Sequence, residues 1–298
     1  MTKRTAPKAF DVEDLGAATV PWTSSFRLKA RSIDQDFLIQ VAWPPAPVAS
    51  GQRFAVVYVL DGNHAFAIAA QMARALQSGP FPLPPTLVVG VGYHFETLED
   101  RARWGMLRVR DFTPCTDALF EAQYAGGGAA CGGAAAFLDF IESEVKPFVA
   151  SRFPIDPEDQ TLTGASLGGL FALYTLFAAP EAFQRYVAIS PALYWGERKL
   201  FALEADLADK AEDLPAHLYL AAGGLEEAHD AQQRFVSNLY ELEARLRARA
   251  YPGLDMSLRI FEGETHMSVY FGALPRGLGA VFGGYRDMHD WSRWLQRS

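Results

Sequence analysis

The stretch "LTGASLGGLFALY", residues 162–174, decides the fold. An apolar run closing at Thr163 reads as the end of a buried strand, and an apolar helix pattern begins immediately after Ser166. A strand that becomes a helix over so few residues forces the residue at the turn into strained backbone angles, and only small neighbours let the two elements come so close. Here that residue is a serine. Gly164 and Gly168 stand two positions before and after it, giving G-x-S-x-G in strand-turn-helix context, with Gly169 next. Such a turn lifts the hydroxyl clear of the sheet edge. The amide of Leu167, at the start of the helix, would point toward an oxyanion formed on an attacked carbonyl, aided by the helix dipole. Taken alone, the motif also reads as an ordinary glycine-bearing turn.

Outward from this turn the chain alternates. Upstream, "RFAVVYVL" at 53–60 and "TLVVGVGY" at 86–93 are continuous apolar, β-branched runs, as strands buried on both faces should be, with the helix-like "AFAIAAQMARAL" between them. Downstream, "RYVAIS", "AHLYLAAG" and "MSLRIFEG" read as strands, with helical patterns between them and a final helix from about 267. This alternation predicts a mostly parallel central sheet with helices on both faces. "FRLKARS" and "DFLIQVAWP", separated by "IDQ", add an N-terminal antiparallel hairpin. The segment 94–134, with "RVRDFTPCTD" and "YAGGGAACGGAAA", reads as an irregular loop over the site.

The 298 residues are half hydrophobic and no linker divides them, so one domain is expected, with its core at about 20–285. The net charge of −8, without a Lys/Arg block, argues against nucleic acid or an acidic membrane as partner. The start has basic residues but no apolar run of signal-peptide length, and no later run suffices for a membrane span; a cytoplasmic location is expected. Two cysteines, Cys115 and Cys131, are expected to be free thiols. No metal-binding spacing occurs, so neither metal nor cofactor is expected. Self-association is not specified.

A nucleophilic serine on this architecture needs an acid and then a histidine, each on a loop after a later strand. His266, in "FEGETHMSVYFG", lies just beyond the last strand, where the base belongs; His64, His94, His217, His229 and His289 fit that order less well. The acid should follow "AHLYLAAG", where "GGLEEAHD" offers Glu226, Glu227 and Asp230. Glu226 comes earliest after the strand and is placed first; any of the three could instead favour the dipole of the following helix. A second oxyanion donor should come from "DGNHAF", through the amide of Gly62 or Asn63, while Asp61 or Asn63 could also serve as helix cap.

With "LDGN", "VGVGY", "RDFTP", "GASLGG", "SPALYW", "GGLEE" and "THMSV" in this order, the chain resembles the esterase family of α/β-hydrolases that includes the IroE-like and Fes-like siderophore esterases and the esterase D-like enzymes. The resemblance runs from about residue 20 to 285 and implies the α/β-hydrolase fold and acyl chemistry more firmly than any substrate. It matches Ser166 to the nucleophile, His266 to the base, Glu226 to the acid, and Gly62 and Leu167 to the oxyanion hole. It also places Arg110 beside the site, either as a clamp for an anionic or catecholate-bearing substrate or as the partner of Asp111. Tyr194 and Trp195 follow as pocket wall or as core. The expected activity is hydrolysis of a small-molecule carboxylic ester through an acyl-enzyme. An acyltransferase or a general carboxylesterase could use the same parts, and a non-catalytic binding protein could keep the fold.

Overall fold

The computed structural model describes residues 19–45, 51–78, 82–124, 130–229 and 231–283. Its centre is an eight-stranded sheet in the order β1-β2-β4-β3-β5-β6-β7-β8. The strands are β1 Thr23–Lys29, β2 Asp36–Ala42, β3 Phe54–Val59, β4 Thr86–Tyr93, β5 Ile155–Ala165, β6 Arg185–Ile189, β7 Ala216–Gly223 and β8 Leu254–Phe261. The pairs β1–β2 and β2–β4 are antiparallel, and every later pair is parallel. The hairpin and the parallel run thus stand where the residue pattern puts them.

Strand β3 shows why the sheet is covered on both sides. All of its residues are buried, with Phe54, Val56 and Tyr58 in one apolar layer and Val57 and Val59 in the other, as the alternation of strand side chains requires. The second layer is closed by α1 Gly62–Gln77, through Ala69, Ala70 and Ala73, and by the last helix, through Leu274 and Leu278.

The first layer is larger. It takes helices from the segment before β5 and from the crossovers after it, and stacks Phe37 on Phe140 at 4.2 Å and Phe137 edge-on to Phe171 at 5.1 Å.

The segment 94–134 departs from its expected irregularity. It contains α2 Leu98–Ala102, α3 Trp104–Phe112 and α4 Ala118–Tyr124, and α5 Ala134–Phe140 begins at its end. In α3, Leu107, Val109 and Phe112 are buried. The helix forms because it can pack these side chains on the first layer, a tertiary gain that local composition does not display. The chain continues through a π-helical turn, Ile141–Val145, into α6 Lys146–Ala150. The remaining helices are α7 Leu167–Ala178, α8 Trp195–Ala208, α9 Glu226–His229, α10 Phe235–Arg249 and α11 Val269–Val281.

The junction of β5 and α7 depends on one residue without a side chain. A methyl group on Gly164 would lie 2.5 Å from the backbone carbon and oxygen of Gly168, so no other residue fits there without moving the helix. A methyl on Gly168 itself would meet its nearest neighbours at 3.5 Å, an ordinary contact. The two glycines of the motif therefore differ in steric need. Gly164→Ala is expected to lower stability by about 1–3 kcal/mol or more through overpacking. Gly168→Ala should lie between neutral and about 1 kcal/mol stabilising, because it sits in a helix. Thermal unfolding of both variants checks this, and equal losses would contradict the asymmetry.

Candidate active site

Ser166 sits between β5 and α7 with φ 58° and ψ −120°, a conformation that non-glycine residues adopt only under constraint. Three backbone bonds supply the constraint: Ser166 N–H donates to Ile189 at 2.9 Å, and the Ser166 carbonyl accepts from Leu170 at 2.9 Å and Ala192 at 3.1 Å. Leu167 is the first residue of α7, so its N–H has no intrahelical acceptor and lies at the positive end of the helix dipole.

His266 follows β8. Its Nδ1 is 2.7 Å from Oε2 of Glu226, which belongs to α9 just after β7. Beside a carboxylate the ring proton resides on Nδ1, which leaves the Nε2 lone pair free. Glu226 is only 2% exposed. Its Oε1 accepts from Ser190 Oγ and from Gly223 N–H, both at 2.6 Å, so a buried carboxylate has its oxygens satisfied. The loops carrying Glu226 and His266 are joined directly, with Gly224 N–H donating to Phe261 at 2.8 Å and Leu225 N–H to Glu264 at 3.1 Å.

Of the other acid candidates, Glu227 turns away. Its carboxylate accepts from the amides of Val236 and Ser237 at 2.9 Å and from the Ser237 hydroxyl, which caps α10. Burial would raise its pKa, but the hydrogen bonds from Ser237 and Val236 prevail and hold it below the ordinary glutamate value. Asp230 lies outside the described residues.

The turn after β3 holds Asp61 at φ 54°, with Gly62 and Asn63 opening α1. Gly62 is seated so closely on β4 that a methyl there would be 2.9 Å from Gly90 and Val91 backbone atoms. The Asn63 amide accepts from Tyr93 N–H at 2.7 Å and donates to the Tyr93 carbonyl at 2.8 Å, so this side chain binds β4. Neither Asp61 nor Asn63 caps the helix with its side chain, contrary to that alternative. Asp61 instead receives a forked pair from Arg108 on α3, Nε to Oδ1 at 2.9 Å and Nη2 to Oδ2 at 2.8 Å. Burial would lower the Arg108 pKa, yet the Asp61 charge and hydrogen bonds leave it raised.

Ser166 and His266 line one cavity of about 470 Å³ together with Asp61, His64 and Arg108. Ile68, Trp104, Met267, Tyr270 and Phe271 supply apolar surface. Met267 and Phe271, 79% and 54% exposed, form its lip; isolated apolar side chains on a surface are common, but these two stand together beside the histidine. The Tyr270 hydroxyl is buried without a hydrogen-bond partner among the described residues, and burial, then the Asp61 charge, push its pKa well above the ordinary tyrosine value.

For Arg110 and Trp195 the structure selects the second of the two readings that the sequence leaves open. Arg110 is not among the residues lining this cavity: it forks onto Asp111 at 2.7 and 2.9 Å, and Tyr93 donates to the same buried carboxylate at 3.0 Å. Trp195 is buried, packing on Phe120 and donating Nε1–H to the Cys115 carbonyl at 2.9 Å, so it supports the fold. Tyr194 packs edge-on to Phe235 at 5.5 Å, and Phe235 lies 4.8 Å from the His266 ring. The sequence does not single out Arg108, Tyr270 or Ser190, and it offers Asp61 only as a helix cap. Among the described residues no group of His, Cys, Asp or Glu is arranged to hold a metal ion, and no helix is long and apolar enough to cross a membrane.

A mostly parallel eight-stranded sheet with a strained serine between its fifth strand and the following helix is an α/β-hydrolase fold. The profile of the family described as "Putative esterase" matches residues 30–281, and the chain belongs to that family, a class of carboxylic ester hydrolases. It is 33% identical to the ferri-bacillibactin esterase BesA of Bacillus subtilis over 85% of this chain and 87% of the relative. It is 30% identical to the siderophore triacetylfusarinine C esterase of Aspergillus fumigatus, over 83% and 89%. Among solved structures, the BES protein of Bacillus cereus superposes with a TM-score of 0.78 at 30% identity, over 92% of this chain and 99% of that one.

The two neighbouring glutamates separate by measurement. Glu227→Gln should cost about 1 kcal/mol of stability at neutral pH through loss of the α10 cap. Because the folded-state pKa of Glu227 is depressed, its contribution is present above the unfolded value and lost as pH falls through the folded value. The difference between parent and variant should therefore vanish in acid, as melting curves across pH will show, while labelling of Ser166 by a fluorophosphonate at neutral pH stays unchanged.

Proposed function

We propose that this protein is a serine esterase that opens siderophore esters through an acyl-enzyme. The observation that carries the reading is that Ser166 opens into the same cavity as a histidine whose Nδ1 is held by a buried carboxylate. In this reading Ser166 Oγ attacks the ester carbonyl carbon while His266 Nε2 takes its proton. Glu226 keeps the imidazole in the useful tautomer and stabilises the imidazolium, and Ser190 and Gly223 hold Glu226 still. The oxyanion is received by the amide of Leu167 and by that of Gly62 or Asn63. His266 then returns its proton to the departing alkoxide, and water, deprotonated by the same nitrogen, releases the acid.

Two relatives named for siderophore esters, each matched over more than four fifths of its length, support the substrate class. The aromatic and apolar side chains around Ser166 fit a large ester with rings or carbon chains. Tyr194, Trp195 and Arg110 take supporting places in this scheme.

Ser166→Ala and His266→Ala should each lower turnover about 10,000-fold or more, and the double variant should lose little beyond either single one, because the pair acts as a unit. Residual activity near the parent's in Ser166→Ala would end this reading. A siderophore lactone should exceed p-nitrophenyl acetate in kcat/KM by about tenfold or more, since binding energy from the remote parts of a large substrate lowers its barrier. If no siderophore ester is cleaved, the enzyme is a general carboxylesterase. On an iron-free chromogenic ester a chelator should leave the rate unchanged, because the proposed steps use no Lewis acid.

A further inference from the structure

The forked pair between Arg108 and Asp61 has no part in the scheme above, although both residues line the cavity. We infer that Arg108 is a positioning residue: it holds the Asp61 carboxylate, and through it the turn that carries the candidate oxyanion amide of Gly62 or Asn63. The inference rests on the acyl-enzyme reading.

Four observations converge on the Asp61 carboxylate. Asp61 directly precedes the two candidate amides and is itself at φ 54°, a conformation that a non-glycine residue keeps only when its surroundings impose it. The helix-capping bond that would ordinarily steady an aspartate there is absent, and the carboxylate goes to Arg108 instead. The guanidinium is held on its faces as well, lying 5.0 Å from the Trp104 ring centroid and 5.6 Å from that of Phe112. Finally, a methyl group built on Gly168 would be 3.5 Å from Oδ2 of Asp61, so the carboxylate also abuts the first turn of α7, next to Leu167. Both side chains of the pair are only 14% exposed, which limits screening by water.

The far side of the turn is fixed by Asn63 on Tyr93 and by Gly62 on β4. Arg108 closes the near side. Since Arg108 belongs to α3, the segment 94–134 is coupled to the oxyanion site through this pair. An arginine fits this place better than a lysine, because only a planar fork reaches both carboxylate oxygens while lying on Trp104.

The alternative role for a cavity arginine is to clamp an anionic substrate, and the experiment separates the two. Arg108→Ala, Arg108→Lys, Asp61→Asn and the double variant Arg108→Ala/Asp61→Asn are assayed on neutral p-nitrophenyl butyrate and on the anionic p-nitrophenyl hemisuccinate. A positioning role predicts that kcat falls about 10- to 100-fold on both esters while KM changes little. The lysine variant should recover part of the loss, and the double variant should be no worse than the poorer single one. The phosphorus NMR resonance of the fluorophosphonate adduct at Ser166 should also shift in the single variants, because the adduct's oxygen occupies the oxyanion position. Arg185→Ala serves as a structural comparator: Arg185 pairs with Asp159 between β5 and β6 and should lower the melting temperature without changing kcat. A rise in KM confined to the hemisuccinate at unchanged kcat would overturn the inference in favour of a clamp. Additive losses in the double variant, or melting shifts with no loss of kcat, would overturn it as well. Failure of the acyl-enzyme reading would show separately, as retained turnover in Ser166→Ala.

Discussion

The contact of the Gly164 backbone with that of Gly168 sets the geometry of everything around the serine. Only because these two backbones touch can α7 start one residue after Ser166, and only then does Ser166 take up its φ of 58°. A conformation of that kind costs on the order of 1–3 kcal/mol and needs support from outside the turn. Much of the support comes from the end of β6, where the Ile189 carbonyl holds the Ser166 amide. The next residue, Ser190, is also at positive φ, 43°, and its hydroxyl holds Glu226. A single strand end thus locates both the serine and the acid.

The other parts are held in the same manner, by short bonds between neighbouring loops at the carboxyl ends of parallel strands. Asn63 bridges the ends of β3 and β4, and Leu225 bridges those of β7 and β8. Ligand sites of open parallel sheets form at such ends because the helices there begin with free amides pointing outward. The apolar wall has a different origin, being supplied by helices that pack across the opening: Trp104 from α3, Ile68 from α1, and Tyr270 and Phe271 from α11.

Those two origins explain what was legible in the sequence. Ser166, His266 and Glu226 stand next to strand ends, so once the strands were found the order and distance along the chain were enough to bring them together. Residues on helices need a phase as well. Arg108 and Arg110 are two positions apart on α3, about 200° around a helix, so one reaches the cavity and the other pairs with Asp111. A segment read as irregular gives no phase, so the sequence leaves Arg110 open between the cavity and Asp111 and does not single out Arg108. Choosing Glu226 over Glu227 was possible from distance to the strand, but the use of Glu227 as a cap depends on where α10 begins, several residues further on. Ser190 was hidden because its contribution is a hydrogen bond to a residue 36 positions away.

β8 is one of the two edge strands of the sheet and the last of them in the chain, and the histidine hangs from it, 100 residues after the serine. During synthesis the earlier strands can assemble first, building the strained turn and burying its surroundings while the histidine is still unmade. In the proposed mechanism the serine is then only a weak nucleophile, since no base removes its proton. Pairing of β8 with β7 brings the imidazole onto Glu226 and satisfies the loop amides in the same step. Under that mechanism closure of the sheet edge and the onset of reactivity are one event, and an incompletely folded chain would carry no active hydroxyl.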